Sequence, residues 1–295
     1  MHRDPFGTWL VLRYFLLAAA LTLANAWLRA DDPSPWEIGA GGSVTAGSNG
    51  ETNQHYSALY RWVLPGTAPS AGWWAVAGVA EEDTRFGGDQ LTGDSGASSA
   101  PGGRAPPSDL QSVAAELAVE YWQDGEVVAT VQARPGEYYE HRPSSGDWDV
   151  PIEAWSGIPL PGLKTVSGAL GIETARFYHH PIPIVGAVWT LSPIVRIEAL
   201  YPEPALVYAP SQDFSARFGG ELIGGGYLAQ SLLGYTPVEY YAYRVGLTAL
   251  WKSGPINFSA AAGDEVEREF DFFRQRRRIN RGGRAYAEFG LTWRR

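Results

Sequence analysis

A strict alternation of apolar and polar residues, repeated along residues 36–295, constrains the fold of this chain more than any other feature. In the last such segment, Ala287, Phe289 and Leu291 alternate with Glu288 and Thr292. Successive side chains of a β-strand point to opposite faces, so the pattern predicts strands with one apolar and one polar face. Similar segments occur at residues 36–46, 55–62, 111–122, 127–134, 213–222, 241–251 and 256–265.

The length of these segments separates a membrane barrel from a soluble β-protein. They run for roughly 10 to 12 residues, whereas strands of soluble proteins average about 5 or 6. A membrane-spanning strand needs about 9 to 11 residues. About 12 segments can be counted, with a range of about 10 to 14, and bacterial barrels have even strand numbers. We therefore expect an all-β fold, a single antiparallel transmembrane β-barrel of about 12 strands.

The composition agrees with a surface that lies partly in lipid. Charged residues make up 19 % of the chain, below the roughly 25 % of ordinary soluble domains. The chain has 12 tryptophans and 15 tyrosines, and the tryptophans cluster at segment ends, where the aromatic belts of membrane barrels lie. The absence of cysteine excludes disulfides and thiolate metal sites. A net charge of −9 argues against a nucleic-acid partner.

The amino terminus has the pattern of a bacterial export signal. A weakly basic start precedes an apolar run of about ten residues, too short for a spanning helix of roughly 20. Ala24-Asn25-Ala26 then forms an A-x-A cleavage site, and Ala30 gives an alternative cut after residue 30. An uncleaved membrane anchor is the other interpretation. We predict a signal peptide at 1–26, a short lead at 27–35 and a barrel at 36–295, exported to the outer membrane of a Gram-negative cell.

Two stretches break the alternation. Residues 87–108 are rich in Gly, Ser, Pro and Asp, which predicts a long loop. A basic cluster precedes the last strand, at the extracellular side of a barrel whose termini both lie in the periplasm. Guanidinium groups bind phosphate bidentately, so this cluster could contact lipopolysaccharide; a solvated charged loop is the alternative. The candidate phosphate contacts are Arg274, Arg276, Arg277, Arg278 and Arg281.

Charges in the polar register of the strands are expected to face the lumen. The predicted lumen-facing residues are Arg61, Glu116, Glu120, Arg134, Arg217, Glu221, Arg244 and Glu288. Acidic residues between Asp264 and Asp271, interleaved with Arg268 and Arg274, predict either a ladder of opposite charges or an ion-selective constriction. A barrel of this size can hold a narrow pore or be filled by its own side chains.

No motif for catalysis, cofactor binding or metal binding is recognised in the sequence. His179 and His180 are adjacent and would point to opposite faces of a strand, which makes a poor chelating pair. His141 lies near Ser144 and Ser145, as would suit a barrel enzyme acting on lipid, but the segment has the composition of an ordinary turn. We expect no enzymatic activity, no cofactor and no metal.

Short Pro- and Gly-rich motifs carry a family resemblance. They include His180-Pro181-Ile182-Pro183, Tyr201-Pro202-Glu203-Pro204, Phe218-Gly219-Gly220-Glu221 and Tyr243-Arg244-Val245-Gly246. Over roughly residues 150–275 the chain resembles an uncharacterised family of bacterial outer-membrane β-barrels, the domain-of-unknown-function family 6268. The resemblance implies a barrel and an outer-membrane address, and it implies no substrate or catalytic residue. The chain ends on Trp293 followed by two arginines, whereas such barrels usually end on an aromatic residue that the assembly machinery recognises.

Three functions stay open at this point. The first is an outer-membrane barrel that acts as a small-solute channel or as a structural or surface-binding barrel, with outer-membrane lipid, lipopolysaccharide and the barrel assembly machinery as partners. The second is an exported soluble β-protein that binds carbohydrate or protein, for which abundant aromatic residues would also be suited. The third is a barrel enzyme that acts on lipid.

Overall fold

The structure is a computed structural model that describes residues 36–45, 51–64, 71–86, 107–123, 126–160, 165–231, 234–275, 277–281 and 283–294. The predicted signal peptide and lead, and residues 87–106 of the predicted long loop, lie outside the described residues. In the described part of the chain, no helix is long and apolar enough to cross a membrane.

Strands dominate the described residues, and a single 3-10 turn at Phe273–Gln275 follows β15. In chain order the strands are β1 (Trp36–Thr45), β2 (Glu51–Val63), β3 (Ala71–Phe86), β4 (Asp109–Gln123), β5 (Glu126–Ala133), β6 (Gly136–Tyr139), β7 (Trp148–Asp149), β8 (Ile152–Pro159), β9 (Val166–Thr174), β10 (Ile182–Ser192), β11 (Val195–Tyr201), β12 (Ala205–Tyr208), β13 (Phe214–Ser231), β14 (Gly234–Ser253), β15 (Ile256–Phe272), β16 (Arg277–Arg281) and β17 (Arg284–Arg294).

The sheet closes on itself and forms an antiparallel barrel. The first strand, β1, pairs with β2 on one side and with the last strand, β17, on the other. Following the pairings around the ring gives 14 strands, in the order β1-β2-β3-β4-β5-β8-β9-β10-β11-β12-β13-β14-β15-β17. Closure leaves the ring without a free edge, which satisfies the backbone of every wall strand.

The strand number of about 12 is therefore corrected to 14. A membrane-spanning strand is expected to alternate over about 9 to 11 residues. Part of the ring is built from shorter strands, which this expectation does not identify. β11 has 7 residues and β12 has 4, and they are joined by the Pro-containing turn at 202–204. Strands this short give too few alternating positions to be recognised by their period.

The ring has two unequal halves. We call β1–β4, β13–β15 and β17 the tall wall, in which strands have 10 to 20 residues. We call β5 and β8–β12 the short wall, in which strands have 4 to 11 residues. The near end of the barrel holds Trp36 and Arg294, at the outer limits of the first and last strands, and the far end is the opposite one.

A short bridge closes the far end above the short wall. It consists of β6, β7 and the loop at 140–147 between them. β6 pairs with β4 on one side, and Tyr139 pairs in parallel with Leu228 of β13 on the other. The bridge thus joins the two edges of the tall wall directly, across the gap that the short strands leave.

An apolar layer fills the far end of the tall wall. Phe86 stacks edge-on against Tyr240 and Phe270, with ring centroids 5.0 Å apart in both pairs. We call this cluster the aromatic layer. Its buried members are Phe86, Leu110, Ala114, Tyr138, Phe177, Tyr227, Ala229, Val238, Tyr240, Ala242, Phe270 and Phe272.

The outer face of the barrel is apolar around both walls. Leu117, Leu170, Leu247 and Phe289 are between 50 % and 66 % exposed, and each lies on the face opposite to the charged register of its strand. An exposed apolar band on a closed barrel is the surface that a lipid bilayer covers. Tryptophans at strand ends border this band at the near end; the exposed ones are Trp62, Trp73, Trp189 and Trp251.

Candidate functional site: the interior of the barrel

A buried ion-pair network crosses the tall wall next to the aromatic layer. The Arg244 guanidinium donates to Glu265 at 2.9 Å, to Glu288 at 3.0 Å and to the Ser43 hydroxyl at 3.0 Å. These partners lie on β15, β17 and β1, so one side chain ties together strands from around the ring. The Arg244 side chain is only 3 % exposed. A guanidinium can occupy such a site because each of its three nitrogens lies beside an acceptor.

A second arginine extends the network toward the far end. Arg268 Nη1 lies 3.3 Å from Glu51 Oε2, and its Nε lies 3.6 Å from Glu265 Oε2. The Tyr240 hydroxyl, on the edge of the aromatic layer, donates to both oxygens of Glu51 at 2.6 and 2.7 Å. The three charged side chains are at most 2 % exposed. Water that filled this part of the lumen would expose them, so the far end of the tall wall has a dry interior.

A β-bulge explains how both Glu265 and Arg268 enter the interior. In the register between β14 and β15, Tyr243 pairs with Glu267 and Arg244 pairs with Glu265, which leaves Val266 as an extra residue. Strict alternation would place side chains three apart on opposite faces. The bulge shifts the period by one, so the buried Arg268 side chain lies on the same side of the wall as Glu265.

Among the remaining predicted lumen charges of the tall wall, Arg61 and Glu120 pair toward the near end. Arg61 donates to Glu37 at 2.6 Å and to Glu120 at 3.3 Å. Glu116 accepts from Gln132 at 3.3 Å. Glu221 is partly buried and lies across from Arg244 in the strand register.

Two predicted residues pair with glutamates of the short wall and its turns. Arg134 lies 3.4 Å from Glu173 of β9. Arg217 of β13 lies 3.7 Å from Glu198 and 3.7 Å from Glu203. Six of the eight residues that the alternation singles out therefore take part in several ion-pair groups distributed around the wall, rather than in a single ring.

The short wall borders a cavity of about 1210 Å³. Its lining includes Leu160 and Pro193 at the near end and the Tyr201–Glu203 turn at the far end, so it follows the full height of this wall. Small inward residues such as Ser167 and Ala169 leave the space unfilled. Of its charged lining residues, four are acidic and one is basic: Glu153, Glu173, Glu198, Glu203 and Arg196.

Sequence reasoning missed several members of this interior. Glu51 is the first residue of β2, so it has no alternating strand residues before it to assign its face. Ser43 looks like any polar residue in the register, and its bond to Arg244 joins residues 201 positions apart. Three of the four cavity carboxylates, Glu153, Glu173 and Glu198, lie on the short strands β8, β9 and β11, and Glu203 lies in the turn after β11.

The arginine cluster is only partly described. Arg274 is exposed in the 3-10 turn, and Arg278 is 60 % exposed and pairs with Asp271 at 3.1 Å and Glu269 at 3.4 Å. Arg276 lies outside the described residues. Arg277 and Arg281 form the ends of β16, which pairs with the far end of β15. Arg278 thus has carboxylate partners within the chain, and the lipopolysaccharide contacts stay a prediction.

His141, His179 and His180 lie at the far end. The rings of His179 and His180 stack with centroids 3.9 Å apart, and His179 Nδ1 lies 3.3 Å from Asp271. His141 contacts Asp109 and Ser108 rather than Ser144, whose hydroxyl donates to Asp147 at 2.6 Å. Among the described residues, no group of three or more His, Cys, Asp or Glu residues is placed to hold a metal ion.

Two ionisable groups outside the strands are shifted by burial. Burial raises the pKa of the Asp147 carboxyl, although both the backbone N–H and the hydroxyl of Ser144 donate to it. Burial, together with the neighbouring Glu173, raises the pKa of the Tyr178 hydroxyl well above its ordinary value. Tyr178 donates to Glu173 at 2.7 Å, so the loop that follows β9 is fixed to the wall below it.

The chain is similar to several solved barrels. One is the translocator domain of the autotransporter NalP from Neisseria meningitidis, with 8 % identity over 97 % of each chain and a TM-score of 0.34. A second is the β domain of the Bordetella autotransporter Brka, with 10 % identity and a TM-score of 0.34. The alignment covers 89 % of this chain and 99 % of that domain. A third is a mutant porin of Rh. blastica, with 9 % identity, a TM-score of 0.30 and coverage of 89 % of this chain and 99 % of the porin. No protein-family model and no curated protein matches the chain.

Proposed function

We propose that this chain is an outer-membrane β-barrel whose short wall borders a narrow, cation-preferring path for small solutes. The outer-membrane address is supported by the closed ring, by the exposed apolar band and by the export-signal pattern at residues 1–26. In lipid, a closed barrel is the one sheet arrangement that satisfies every backbone hydrogen-bonding group. A soluble exported β-protein would instead bury the residues that this barrel presents outward.

The orientation follows from the position of the strand ends. The first strand, β1, begins at the near end and the last strand, β17, ends there. In such barrels this end faces the periplasm. The far end, with the bridge, would then face the cell exterior. The exposed arginines Arg274 and Arg278 would lie on that side, where lipopolysaccharide phosphates are found.

The observation that carries the solute path is the cavity of about 1210 Å³ along the short wall. Its lining reaches from near-end turns to a far-end turn, and glutamates predominate among its charged residues. Rings or rows of carboxylates favour cations over anions in a pore. Arg134 and Arg217 partly neutralise these carboxylates, so we expect a moderate preference rather than strict selectivity.

The test is ion conductance of the purified barrel in a planar lipid bilayer under a KCl gradient. We expect small, stable unitary steps and a reversal potential that indicates cation preference. Glu153→Gln should reduce that preference, because Glu153 lines the cavity. Asp264→Asn is the matched control, since Asp264 is exposed on the outer face of β15 and should leave the reversal potential unchanged.

A structural barrel is the second candidate, and the dry interior of the tall wall favours it. If a barrel that folds and inserts gives no steps, its lumen is closed and the structural role replaces the solute path. Anion preference would contradict the role given to the glutamates. Failure to insert into lipid would contradict the membrane address itself.

A further inference from the structure

Three neighbouring strands of the short wall place a tryptophan on the cavity face with no bulky neighbour on β9. In one cross-strand row, Trp155 of β8 pairs with Gly171 of β9, which in turn pairs with Ile184 of β10. A Cβ at Gly171 would clash with the Trp155 side chain, so the glycine leaves room for the indole. Trp155 and Ile184 both line the cavity. The indole therefore presents an apolar ring surface to the lumen.

The next row toward the near end consists of small residues. Gly157 pairs with Ala169, and Ala169 pairs with Gly186. Successive rows on one face of a sheet lie two residues apart, or about 7 Å. Gly157 and Ala169 also line the cavity. The wall is therefore recessed beside the indole, where the small side chains leave space for a bound molecule.

The row on the other side of the indole, toward the far end, is acidic. Glu153 and Glu173 are direct cross-strand partners, and both line the cavity. Like charges in this position repel each other. Arg134 Nη2 lies 3.4 Å from Glu173 Oε1, and the Tyr178 hydroxyl donates to the same oxygen at 2.7 Å. The chain thus supplies partners to Glu173.

Glu153 is the carboxylate of this row that is left for a ligand. Within the described part of the chain it forms no ion pair, and it lies within hydrogen-bonding reach of the Trp155 indole N–H. With Arg134 the row has two negative charges and one positive charge, which leaves one net negative charge. The face of an indole also attracts a cation within about 6 Å of its centroid. Carboxylate and ring therefore favour the same kind of ligand.

We propose that this recess binds organic ammonium ions, which are solutes that carry one positive charge on an apolar body. The ammonium group lies between Glu153 and the face of Trp155, and the apolar body extends over Ala169 into the recess. This inference rests on the part of the proposed function that opens the cavity to solutes, and it names the class of cation that the cavity selects.

The donor set distinguishes this ligand from a metal ion. An indole has an N–H donor and no lone pair for a metal, and hard cations require six or more oxygen ligands. Among the described residues, no group of three or more His, Cys, Asp or Glu residues is placed to supply them. An ammonium ion needs only one carboxylate and an aromatic face, both of which the recess has.

The experiment measures the binding of choline to the full barrel in detergent by isothermal titration calorimetry. Choline keeps its charge at every pH, and 3,3-dimethylbutan-1-ol has the same shape without the charge. We expect choline to bind about tenfold more tightly than this alcohol. Trp155→Leu and Glu153→Gln should each weaken choline binding about tenfold. Trp155→Tyr keeps an aromatic face and should retain most of the affinity.

The matched controls change similar side chains on the outer face. Trp189 of β10 is 50 % exposed there, and Asp264 of β15 is also exposed, so Trp189→Leu and Asp264→Asn should leave the affinity for choline unchanged. Folding of every variant is checked by the heat-dependent gel migration of the barrel. Absence of choline binding by the folded wild type, equal binding of the neutral alcohol, or binding that survives both Trp155→Leu and Glu153→Gln would each overturn the site.

Calorimetry in detergent also separates this site from the solute path. A barrel that binds choline but conducts no ions keeps the site and loses the path through the lumen. A barrel that conducts ions but does not bind choline keeps the path and loses the site.

Discussion

The two walls of this barrel have the same alternation but enclose different interiors. In the tall wall, inward residues are large and paired: Arg244, Arg268 and Tyr240 fill the space and leave it dry. In the short wall, inward residues such as Ser167 and Ala169 are small, and a cavity of about 1210 Å³ remains. The alternation thus decides which residues face inward. Their size and their partners decide whether the interior is closed.

The difference also has an energetic side. A buried ion pair contributes little net stability, because desolvation offsets its attraction, yet removing one partner is costly because the other stays buried and unpaired. Removing one partner of a partly exposed pair lowers stability less, because water can solvate the charge that remains. The tall wall should therefore be sensitive to charge deletion, and the short wall should be tolerant.

The largest expected effect is the deletion of Arg268. Arg268→Met leaves Glu51 buried without its guanidinium partner and leaves Glu265 with Arg244 alone, and should lower the free energy of unfolding by about 3–5 kcal/mol. Arg196→Met is the control, because the Arg196 side chain is 39 % exposed beside Glu198 and should cost about 1 kcal/mol or less. Urea titration of the barrel in lipid vesicles measures both. Equal losses would mean that the two interiors are equally hydrated.

A second substitution compares the two faces of the short wall. Leu170 lies in the middle of β9 and is 59 % exposed on the outer face, so Leu170→Arg should cost roughly 2–4 kcal/mol in lipid. Ser167→Arg places the same side chain in the cavity and should cost far less. The folded fraction on heat-dependent gel migration, followed by urea titration, compares them. If both variants folded alike, the short wall would not face lipid.

The facing of the strands could be predicted from sequence, because a period of two assigns every side chain of a regular strand. Leu247 is 53 % exposed and Arg244 is 2 % exposed, as expected for opposite faces. The bulge at Val266 could not be predicted, because one extra residue reverses the facing without any special residue type. Nor could the contact between Ser108 and His141 be predicted, because it depends on how β6 crosses from β4 to β13.

A smaller effect on stability is expected where the loop between β9 and β10 packs on β13. A Cβ at Gly226 would lie 2.8 Å from the backbone carbon of Phe177, which belongs to the loop between β9 and β10. Gly226→Ala should therefore displace that loop and cost about 1–3 kcal/mol. At Gly168 of the short wall the nearest atoms lie at 3.7 Å or more, so Gly168→Ala should stay within about 0.5 kcal/mol. Equal urea midpoints for the two variants would show that the loop does not pack on β13.

The smallest expected effect is a pH dependence in the bridge. Burial raises the pKa of Asp147 above its ordinary value of 3.8, so the folded state holds this proton more tightly than the unfolded chain. That stabilisation is complete below pH about 4 and is lost as the pH rises through the folded-state pKa. Asp147→Asn cannot ionise, and should gain stability relative to the wild type as the pH rises above about 4. The difference in urea midpoint between the two proteins, followed over this range, isolates the group from all other titrations. A difference that stayed constant would mean that water reaches Asp147, and that the bridge is as hydrated as the cavity below it.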